Sequence, residues 1–509
     1  MKTSFTGNGF ALAADRGLYS VLEEGLRRDP DRPVLSRVAD GAWRDVTYAE
    51  LTRHVRAAAA ALRGHGVRRG DRVAILGRTS YEWAVADFAA LALGAVTVPV
   101  YPTASEHQIR HMLTDSGAQW FAAETDDDAS RLQAAGAGKV WTFAEVGSWR
   151  DDAAPPVDSP VAAVDLATIV YTSGTTGLPK GCLLTHANMY ASSANTVLQT
   201  DWLFHRAAPG DTAPAATLLA LPLSHVFGRT ILLSCLIAGT RTGLVAGIPD
   251  LLPALRQFRP TFLALVPYAL EKVRKLGGDL LAPARYVICG GASLDDTTAA
   301  FYAEAGTEIL NCYGLTEAAT AVTVNAPATN RRGTVGRPIP GTTVGIAGDG
   351  EVLVRGANVS PGYWPGSVEG DPGWLHTGDL GELDDDGYLR ITGRRKEILV
   401  TSGGKNVAPT LLEDRIRLHP KVSNCMVVGD GRPFVTALIT VDGPVSPEEL
   451  QPVVDEANSL VSRAESIRAF RIVAGDFTVE AGQLTPSMKL RRAVIEEAYA
   501  ADIAQLYGT

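Results

Sequence analysis

The chain has 509 residues, of which 46% are hydrophobic and 20% are charged, and its formal net charge is −9. At roughly 100–200 residues per domain this length predicts two to four structural units, and the composition is that of a globular protein with a sizeable core. The acidic balance argues against nucleic acid as the main partner, because phosphate binding relies on an excess of Lys and Arg. It leaves room for a local basic pocket.

No stretch of the chain predicts a signal peptide or a transmembrane segment. The N-terminus, Met1–Gly17, lacks an apolar core. The nearest candidate for a span, Thr212–Gly228, is shorter than the required ~20 residues and contains two prolines. The cysteines form no CxxC pair, and such an odd, scattered set indicates reduced thiols in a cytoplasmic protein; they are Cys182, Cys235, Cys289, Cys312 and Cys425.

Helical and strand patterns alternate near the N-terminus. Tyr48–Gly64 has apolar residues at helical spacing, Val73–Leu76 is a short apolar strand, Glu82–Leu93 is a second helix, and Ala95–Pro99 is a second strand. Such alternation predicts an α/β fold with doubly wound, mostly parallel sheets.

The character of the chain changes further along. A polar, Pro-rich segment, Asp151–Pro160, precedes a strong strand at Ala167–Tyr171, and an α/β pattern continues to about Leu310. From Gly333 onward Gly and Pro become frequent, and short strands at Glu351–Arg355 and Tyr388–Thr392 predict a small β subdomain.

The last part of the chain has strands and helices of its own. The predicted strands are Cys425–Val428 and Val435–Val441, and the predicted helices are Pro447–Ser459 and Leu490–Tyr507. A charged segment, Arg394–Lys396, separates this part from the β subdomain. We therefore predict an N-terminal domain at 1–394 and a smaller α+β C-terminal domain at 395–509.

A Gly- and hydroxyl-rich loop follows the strand that ends at Tyr171. Its glycines let backbone N–H groups approach an anion, and Lys180 adds a mobile positive charge. The spacing is not that of a Walker loop. A plain surface loop explains this combination poorly, so we predict a phosphate site with contacts from Thr172, Ser173, Gly174, Thr175, Thr176, Gly177 and Lys180.

This loop, YTSGTTGLPKG, resembles the phosphate loop of the ANL superfamily, which comprises acyl-CoA synthetases, peptide-synthetase adenylation domains and luciferases. Other segments match motifs of that superfamily in the same order: Leu221–Phe227, Gly290–Ala292, Tyr313–Glu317, Gly373–Asp379, Gly393–Ile398 and Leu484–Lys489. The resemblance covers essentially the whole chain and is greatest to bacterial long-chain fatty-acid–CoA ligases. It implies a mobile C-terminal domain and activation of an acid as its acyl-AMP with ATP and Mg²⁺, followed by transfer to CoA.

The resemblance also implies a role for individual residues. It places ATP and Mg²⁺ at Thr172 and Glu317, the ribose at Asp379 and Arg394, the adenine at Tyr313, the acid at His225, the catalytic cation at Lys489 and the hinge at Lys396. Nucleotide or CoA contacts are further implied for Gly290, Gly291, Ala292, Asn311, Cys312, Gly314, Thr316, Gly403, Gly404 and Lys405. Taken singly, some of these have structural readings as well: Glu317 as a helix N-terminal acid, Asp379 as an Asx-turn and Lys489 as a surface lysine on an exposed, mobile loop.

The chain departs from the long-chain pattern in length. Many long-chain ligases carry a helical insertion after the segment matching Glu271–Arg274, whereas only Lys275–Ala284 separates that segment from the next strand here. Val441–Asp455 is also short. Both features put a long acyl tunnel in doubt and favour, as an alternative, a biosynthetic enzyme for a small or unusual acid.

Several alternatives therefore stay open. The acid is a carboxylic acid or nitrite, as in relatives that drive diazotisation of an amine, and the acceptor is CoA, an amine or a carrier-protein thiol. A non-enzymatic binding module is disfavoured, because Lys180, Glu317, Asp379, Arg394 and Lys489 are all present. The sequence leaves open a homodimer and a peripheral membrane association.

Overall fold

Large, mostly parallel β-sheets form the N-terminal part of the chain. The computed structural model describes residues 1, 3–8, 15–149, 157, 161–172, 178–276, 278–281, 283–366, 373–485 and 488–508. The first sheet has the spatial order β19–β9–β8–β5–β4–β6–β7, in which β8, β5, β4, β6 and β7 are parallel. Its strands are β4 (Arg72–Leu76), β5 (Val96–Val100), β6 (Trp120–Ala123), β7 (Val140–Thr142), β8 (Leu166–Thr172), β9 (Lys180–Thr185) and β19 (Gly362–Tyr363).

The second sheet has the order β16–β15–β14–β13–β12–β10–β11–β2–β3, and its central strands from β14 to β2 are parallel. Its strands are β2 (Pro33–Ala39), β3 (Ala42–Thr47), β10 (Ala216–Leu219), β11 (Arg241–Leu244), β12 (Phe262–Leu265), β13 (Tyr286–Cys289), β14 (Glu308–Leu315), β15 (Thr320–Val324) and β16 (Arg337–Pro338). The predicted doubly wound α/β architecture is confirmed.

Helices connect and cover these strands, and their ends carry the expected local signals. In the helix that follows β3, Thr47 Oγ1 accepts from the N–H of Glu50 while the Glu50 carboxylate accepts from the N–H of Thr47, which forms a capping box. The helix ends at Gly66, at φ 110°. The helices are α1 (Ser20–Arg28), α2 (Tyr48–His65), α3 (Tyr81–Ala92), α4 (Glu106–Ser116), α5 (Asp126–Ala134), α6 (Phe143–Ser148), α7 (His186–Gln199), α8 (Val226–Ala238), α9 (Ile248–Phe258), α10 (Pro267–Leu276) and α11 (Asp296–Glu304).

The predicted β subdomain is an antiparallel sheet of order β1–β17–β18–β20–β21. Its first strand, β1 (Thr3–Thr6), comes from the N-terminus and pairs with a strand more than 300 residues away, which the sequence did not indicate. The other strands are β17 (Thr343–Ile346), β18 (Glu351–Arg355), β20 (Leu375–Leu383) and β21 (Leu389–Arg394). The predicted loop at Asp151–Pro160 lies, apart from Val157, outside the described residues.

The C-terminal domain has its own core around a sheet of order β24–β25–β26. Its strands are β22 (Leu399–Val400), β23 (Asn406–Val407), β24 (Val422–Val428), β25 (Val435–Val441) and β26 (Ile467–Ile472), and its helices are α12 (Pro409–Arg417), α13 (Pro447–Asn458), α14 (Arg492–Ala498) and α15 (Ala500–Leu506).

The single helix predicted at Leu490–Tyr507 is wrong. Leu490 pairs with Leu484 in a short β-bridge, and Tyr499 leaves helical geometry between α14 and α15. The ring of Tyr499 packs edge-on against Phe477, at 5.8 Å between centroids. Within the described ranges, no helix is both long and apolar enough to cross a membrane.

A buried ion pair joins the layers of the two large sheets. Arg229 on α8 donates from Nη2 to both carboxylate oxygens of Asp87 on α3, at 2.7 and 2.9 Å. Its Nη1 donates to Thr168 Oγ1 on β8 at 2.8 Å, and Nη2 also reaches Thr97 Oγ1 on β5 at 3.1 Å. Arg229 and Asp87 are 4% and 5% exposed. The network fixes α8 against the first sheet.

Replacing Asp87 with Ala should destabilise the N-terminal domain by about 3–5 kcal/mol, because it leaves the Arg229 charge buried and unpaired. A double replacement of Arg229 by Met and Asp87 by Leu should recover most of that loss. Urea unfolding of the variants measures the difference.

Asp165→Ala is the matched control. It removes a more exposed carboxylate, which pairs with Arg69 and accepts from the Ala162 N–H, and it should cost no more than about 1–2 kcal/mol. Equal losses in the Asp87 and Asp165 variants would contradict the role given to the buried pair.

Candidate active site between the two domains

A cavity of about 620 Å³ lies between the N-terminal domain and the loop before α14. Residues from almost every predicted motif line it. They are Thr172, Lys180, His225, Gly290, Gly291, Cys312, Tyr313, Gly314, Thr316, Glu317, Arg394, Lys396 and Lys489.

The two strands that flank the predicted phosphate loop, β8 and β9, end at this cavity. Ser173, Gly174, Thr175, Thr176 and Gly177 lie outside the described residues. The two ends of the loop, Thr172 and Lys180, face each other in the β8–β9 pair. Both ends line the cavity, so the hydroxyl of Thr172 and the ammonium group of Lys180 are available to a phosphate group there.

The two residues predicted to bind the ribose, Asp379 and Arg394, form a hydrogen-bonded group with Tyr313. Asp379 is 4% exposed; its Oδ2 accepts from the Tyr313 hydroxyl at 2.7 Å, and its Oδ1 accepts from Arg394 Nε at 2.7 Å. Burial and the Asp379 charge raise the pKa of Tyr313, so the phenol stays protonated and donates. Although burial opposes it, Asp379 raises the pKa of Arg394 above its usual value. The carboxylate keeps lone pairs that can accept from ribose hydroxyls.

Glu317 lies at the phosphate side of the cavity, in a 3₁₀ turn at Thr316–Ala318. Its Oε1 accepts from the hydroxyl of Tyr363 at 2.5 Å, and burial together with Glu317 raises the pKa of that hydroxyl. Lys180 Nζ lies 6.0 Å from the Tyr363 ring centre. The sequence motifs did not point to Tyr363, whose only signal was a pair of aromatic residues, Tyr363 and Trp364, in a Gly- and Pro-rich stretch.

The residues fit a Mg²⁺ ion that arrives with a nucleotide. In the part of the chain that the structure describes, no group of three or more His, Cys, Asp or Glu side chains could hold a metal alone. The carboxylate of Glu317 and the hydroxyl of Thr172 are hard oxygen donors at the same side of the cavity. Mg²⁺ prefers one or two such ligands together with phosphate oxygens and water.

His225 is the N-cap residue of α8. Its Nδ1 accepts from the N–H of Phe227 at 3.1 Å, which assigns the ring proton to Nε2. Burial, and then the nearby Lys489 charge, lower the pKa of His225 to about 4. The ring is therefore neutral near pH 7 and offers an N–H donor to the cavity.

Lys489 enters the cavity on a tight hairpin of the C-terminal domain. Thr485 N–H donates to the Lys489 carbonyl at 2.8 Å, and Lys489 N–H donates to Thr485 Oγ1 at 3.0 Å. Lys489 is exposed and lies in a loop before α14, as predicted, and it lines the cavity. Burial and then Arg394 lower its pKa, and Asp379, Glu397 and Glu317 oppose this effect.

A polar interface holds the C-terminal domain in this orientation. At the end of α10, Arg274 donates to the Leu418 carbonyl at 2.8 Å and Lys275 donates to the Val422 carbonyl at 2.5 Å. Ser293 donates to Asp414 of α12. Burial raises the pKa of Asp414 to about 6, although Arg417 and Ser293 oppose the shift.

The turn after β13 approaches the cavity with little side-chain bulk. A Cβ at Gly290 would lie 2.5 Å from Cys312 Sγ, and Gly291 has a φ of 91°. Ala292 is exposed and does not line the cavity. Asn311 precedes Cys312 on β14. Among the described residues, its buried Oδ1 is one of the side-chain atoms without a hydrogen-bond partner. This group could accept from an adenine amino group.

Three predicted residues lie away from the cavity. Gly403, Gly404 and Lys405 form the turn between β22 and β23, and Lys405 Nζ lies 3.5 Å from Glu465 of its own domain. The structure therefore brings the residues of the first half-reaction together and leaves this turn apart.

The chain matches known proteins over nearly its whole length. Residues 22–364 match the AMP-binding enzyme family, and residues 396–509 match the C-terminal domain of AMP-binding enzymes. Long-chain-fatty-acid–CoA ligase FadD15 of Mycobacterium bovis is 38% identical over 98% of both chains. That alignment spans 598 positions against the 509 residues here, so part of the relative has no counterpart.

Solved structures agree with this relationship. O-succinylbenzoate–CoA synthetase MenE of Bacillus subtilis with its acyl-adenylate has a TM-score of 0.81 at 25% identity, over 95% of this chain and 98% of its own. The same enzyme with ATP and magnesium has a TM-score of 0.78 at 26% identity, over 94% and 99%. The chain belongs to the AMP-binding enzymes of the ANL superfamily, and it is an AMP-forming acid–thiol ligase of the acyl-CoA synthetase type.

Proposed function

We propose that the cavity forms an acyl-AMP from ATP and a small-molecule acid, and that a second orientation of the C-terminal domain transfers the acyl group to CoA. The observation that carries this proposal is the convergence of Lys489, Arg394, Lys180 and Glu317 around one cavity, with Asp379 bonded to two lining residues, Tyr313 and Arg394. Charge gathers on the α-phosphate when a carboxylate attacks it, so the site must be electrostatically arranged before the reaction.

Each side chain has a role in the first half-reaction. Asp379 and Arg394 bind the ribose, which orients the nucleotide. The neutral His225 ring donates through Nε2 to the incoming acid, and Lys489 stabilises the charge between carboxylate and α-phosphate. Bound by Thr172, Glu317 and the phosphates, Mg²⁺ would neutralise charge on the leaving pyrophosphate.

The second half-reaction needs the C-terminal domain to move. We place the domain boundary at residues 394–396, where the strand β21 ends and a 3₁₀ turn at Arg395–Glu397 begins. Rotation about Lys396 would withdraw Lys489 and bring Gly403, Gly404 and Lys405 towards the CoA thiol. The match to one family region ending at 364 and another starting at 396 supports this division.

We also propose a cytoplasmic location. All five cysteines are free, and four of them are buried. This usage fits a reducing compartment.

Lys489→Ala should slow acyl-AMP formation by about 10²–10³, the usual cost of losing one electrostatic stabiliser of a transition state. It should leave the transfer from synthetic acyl-AMP to CoA largely intact. ATP–pyrophosphate exchange measures the first step, and acyl-CoA release from acyl-AMP measures the second.

Lys405→Ala is the matched control, since it removes a lysine from the same domain outside the cavity. It should slow the transfer step and spare the exchange reaction. If Lys489→Ala slows both steps equally, the mechanism with two domain orientations is wrong. If the detected products are ADP and phosphate, acyl-AMP formation is wrong.

The ratio of the adenylation rate to the rate of transfer to CoA should depend on pH through the titration of Asp414. Its pKa in the docked orientation lies above the ordinary value, so docking takes up a proton and weakens as pH rises through about 6. Lowering the pH from about 7.5 to about 5.5 should therefore favour the docked orientation severalfold, and raise the ratio of adenylation rate to transfer rate.

Asp414→Asn should flatten this pH dependence, because the amide does not titrate. Both half-reactions measured at several pH values test it, with Asp455→Asn on α13 as a control that should behave like the wild type. An unchanged slope in Asp414→Asn would rule out this assignment.

A further inference from the structure

Hydroxyl-bearing residues, together with apolar residues such as Phe227 and Ile231, line the part of the cavity that runs along α8 beyond His225. Thr230 and Ser234 lie on α8, Thr196 on α7 and Thr320 at the start of β15, and all of them line the cavity. We call these residues the hydroxyl wall. Thr230 and Ser234 follow His225 by five and nine positions, so they lie about 8 and 13 Å further along the helix axis.

We propose that the acid is short and carries a hydrogen-bond donor, a hydroxyl or amino group, at the end remote from its carboxyl group, where the hydroxyl wall accepts from it. This inference rests on the proposed function, since it assumes that the carboxyl group lies near His225 and Lys489.

The hydrogen bonds within the wall give it acceptor character. Thr196 Oγ1 donates to the Ser192 carbonyl at 2.7 Å, Thr230 Oγ1 to the Val226 carbonyl at 3.0 Å, and Ser234 Oγ to the Ser193 carbonyl at 3.2 Å. Each hydroxyl proton has a partner on its helix or on the neighbouring one. The oxygen lone pairs that remain can accept from a ligand.

Backbone strain holds the last member of the wall. Thr320 has a φ of 92° and Ala319 a φ of 48°; this region is costly for a β-branched residue and is occupied mainly at functional sites. The Thr320 carbonyl also requires Gly314, where a Cβ would lie 1.4 Å from its oxygen. In this conformation Thr320 Oγ1 lies 3.2 Å from Thr230 Oγ1.

An alkyl chain suits this wall poorly. Apolar atoms against the wall would make no hydrogen bond to its remaining lone pairs, so an alkyl acid forgoes the bonds that a hydroxyl or amino group would make there. The cavity of about 620 Å³ must also hold the nucleotide, and ligand sites of about 300–1,000 Å³ usually hold one drug-sized molecule. An acid reaching Ser234 spans about 13 Å, which is shorter than a long fatty acyl chain.

Pairs of acids that differ by a hydroxyl or a methyl group test this inference by ATP–pyrophosphate exchange. The pairs are 3-hydroxybenzoate and 3-methylbenzoate, 4-hydroxybenzoate and 4-methylbenzoate, 4-hydroxycinnamate and 4-methylcinnamate, and 8-hydroxyoctanoate and nonanoate, with palmitate and nitrite as additional substrates. At least one hydroxy acid should exceed both its methyl partner and palmitate by about 10-fold or more in kcat/KM, because a site built to hydrogen-bond rejects an analogue that cannot.

Thr230→Val and Ser234→Ala should each reduce that preference by about 10-fold and leave the KM for ATP unchanged. Ser193→Ala is the matched control, because its hydroxyl lies in the same α7–α8 interface but donates to the Thr230 carbonyl outside the cavity lining. It should keep the wild-type preference. The affinities of the paired hydroxyacyl and methylacyl sulfamoyl adenosines, measured by calorimetry, repeat the comparison without turnover.

The outcomes separate the two proposals. If palmitate is the best substrate, if every methyl partner equals its hydroxy acid, or if the control loses as much preference as the wall variants, the inference is wrong while acyl-AMP formation stands. If neither a carboxylic acid nor nitrite supports exchange, the proposed function fails and the inference fails with it.

Discussion

The buried pair between Arg229 and Asp87 is the constraint on which the acid-binding part of the molecule depends. A buried charge is costly unless its partner and hydrogen bonds satisfy it, so α8 can occupy only the position that brings Arg229 to Asp87, Thr97 and Thr168. His225 precedes Arg229 by one helical turn. Thr230 and Ser234 follow it on the same helix. One ion pair therefore sets both ends of the proposed acid pocket relative to the phosphate loop of the first sheet.

The charges of the site explain why the lysine comes from a separate domain. Lys489 approaches Arg394, another cation, and burial and this repulsion lower its pKa. Such an arrangement is unfavourable until an anionic substrate enters, and Asp379, Glu397 and Glu317 offset only part of it. Because the domain that carries Lys489 can move away, the repulsion and desolvation of this cation are not permanent. While the domain is docked, the polar contacts at Leu418, Val422 and Asp414 offset that unfavourable energy. These contacts are hydrogen bonds rather than a large apolar seam, which suits a reversible interface.

Local signals in the sequence predicted the parts of the fold and site that depend on local physics. The strand at Val435–Val441 and the residues of the phosphate, ribose and lysine motifs follow from apolar runs, turn chemistry and a specific resemblance. The pairing of β1 with β17 could not be predicted from such local signals, because the two strands lie more than 300 residues apart in the chain. The break at Tyr499 was also hidden, since it depends on packing against Phe477 rather than on a helix-breaking residue.

The short connection after α10 affects both the docking of the C-terminal domain and the space for the acid. Only a 3₁₀ turn at Gly278–Leu281 and a few further residues separate α10 from β13, so the helix ends at the domain interface. Its last turn carries Arg274, which donates to the Leu418 carbonyl at the end of α12, where the helix dipole is negative, and Lys275, which donates to the Val422 carbonyl at the start of β24. The same strand, β13, leads into Gly290 and Gly291 of the cavity. A change in the length of this connection would therefore act on the docking of Lys489 as well as on the space for the acid.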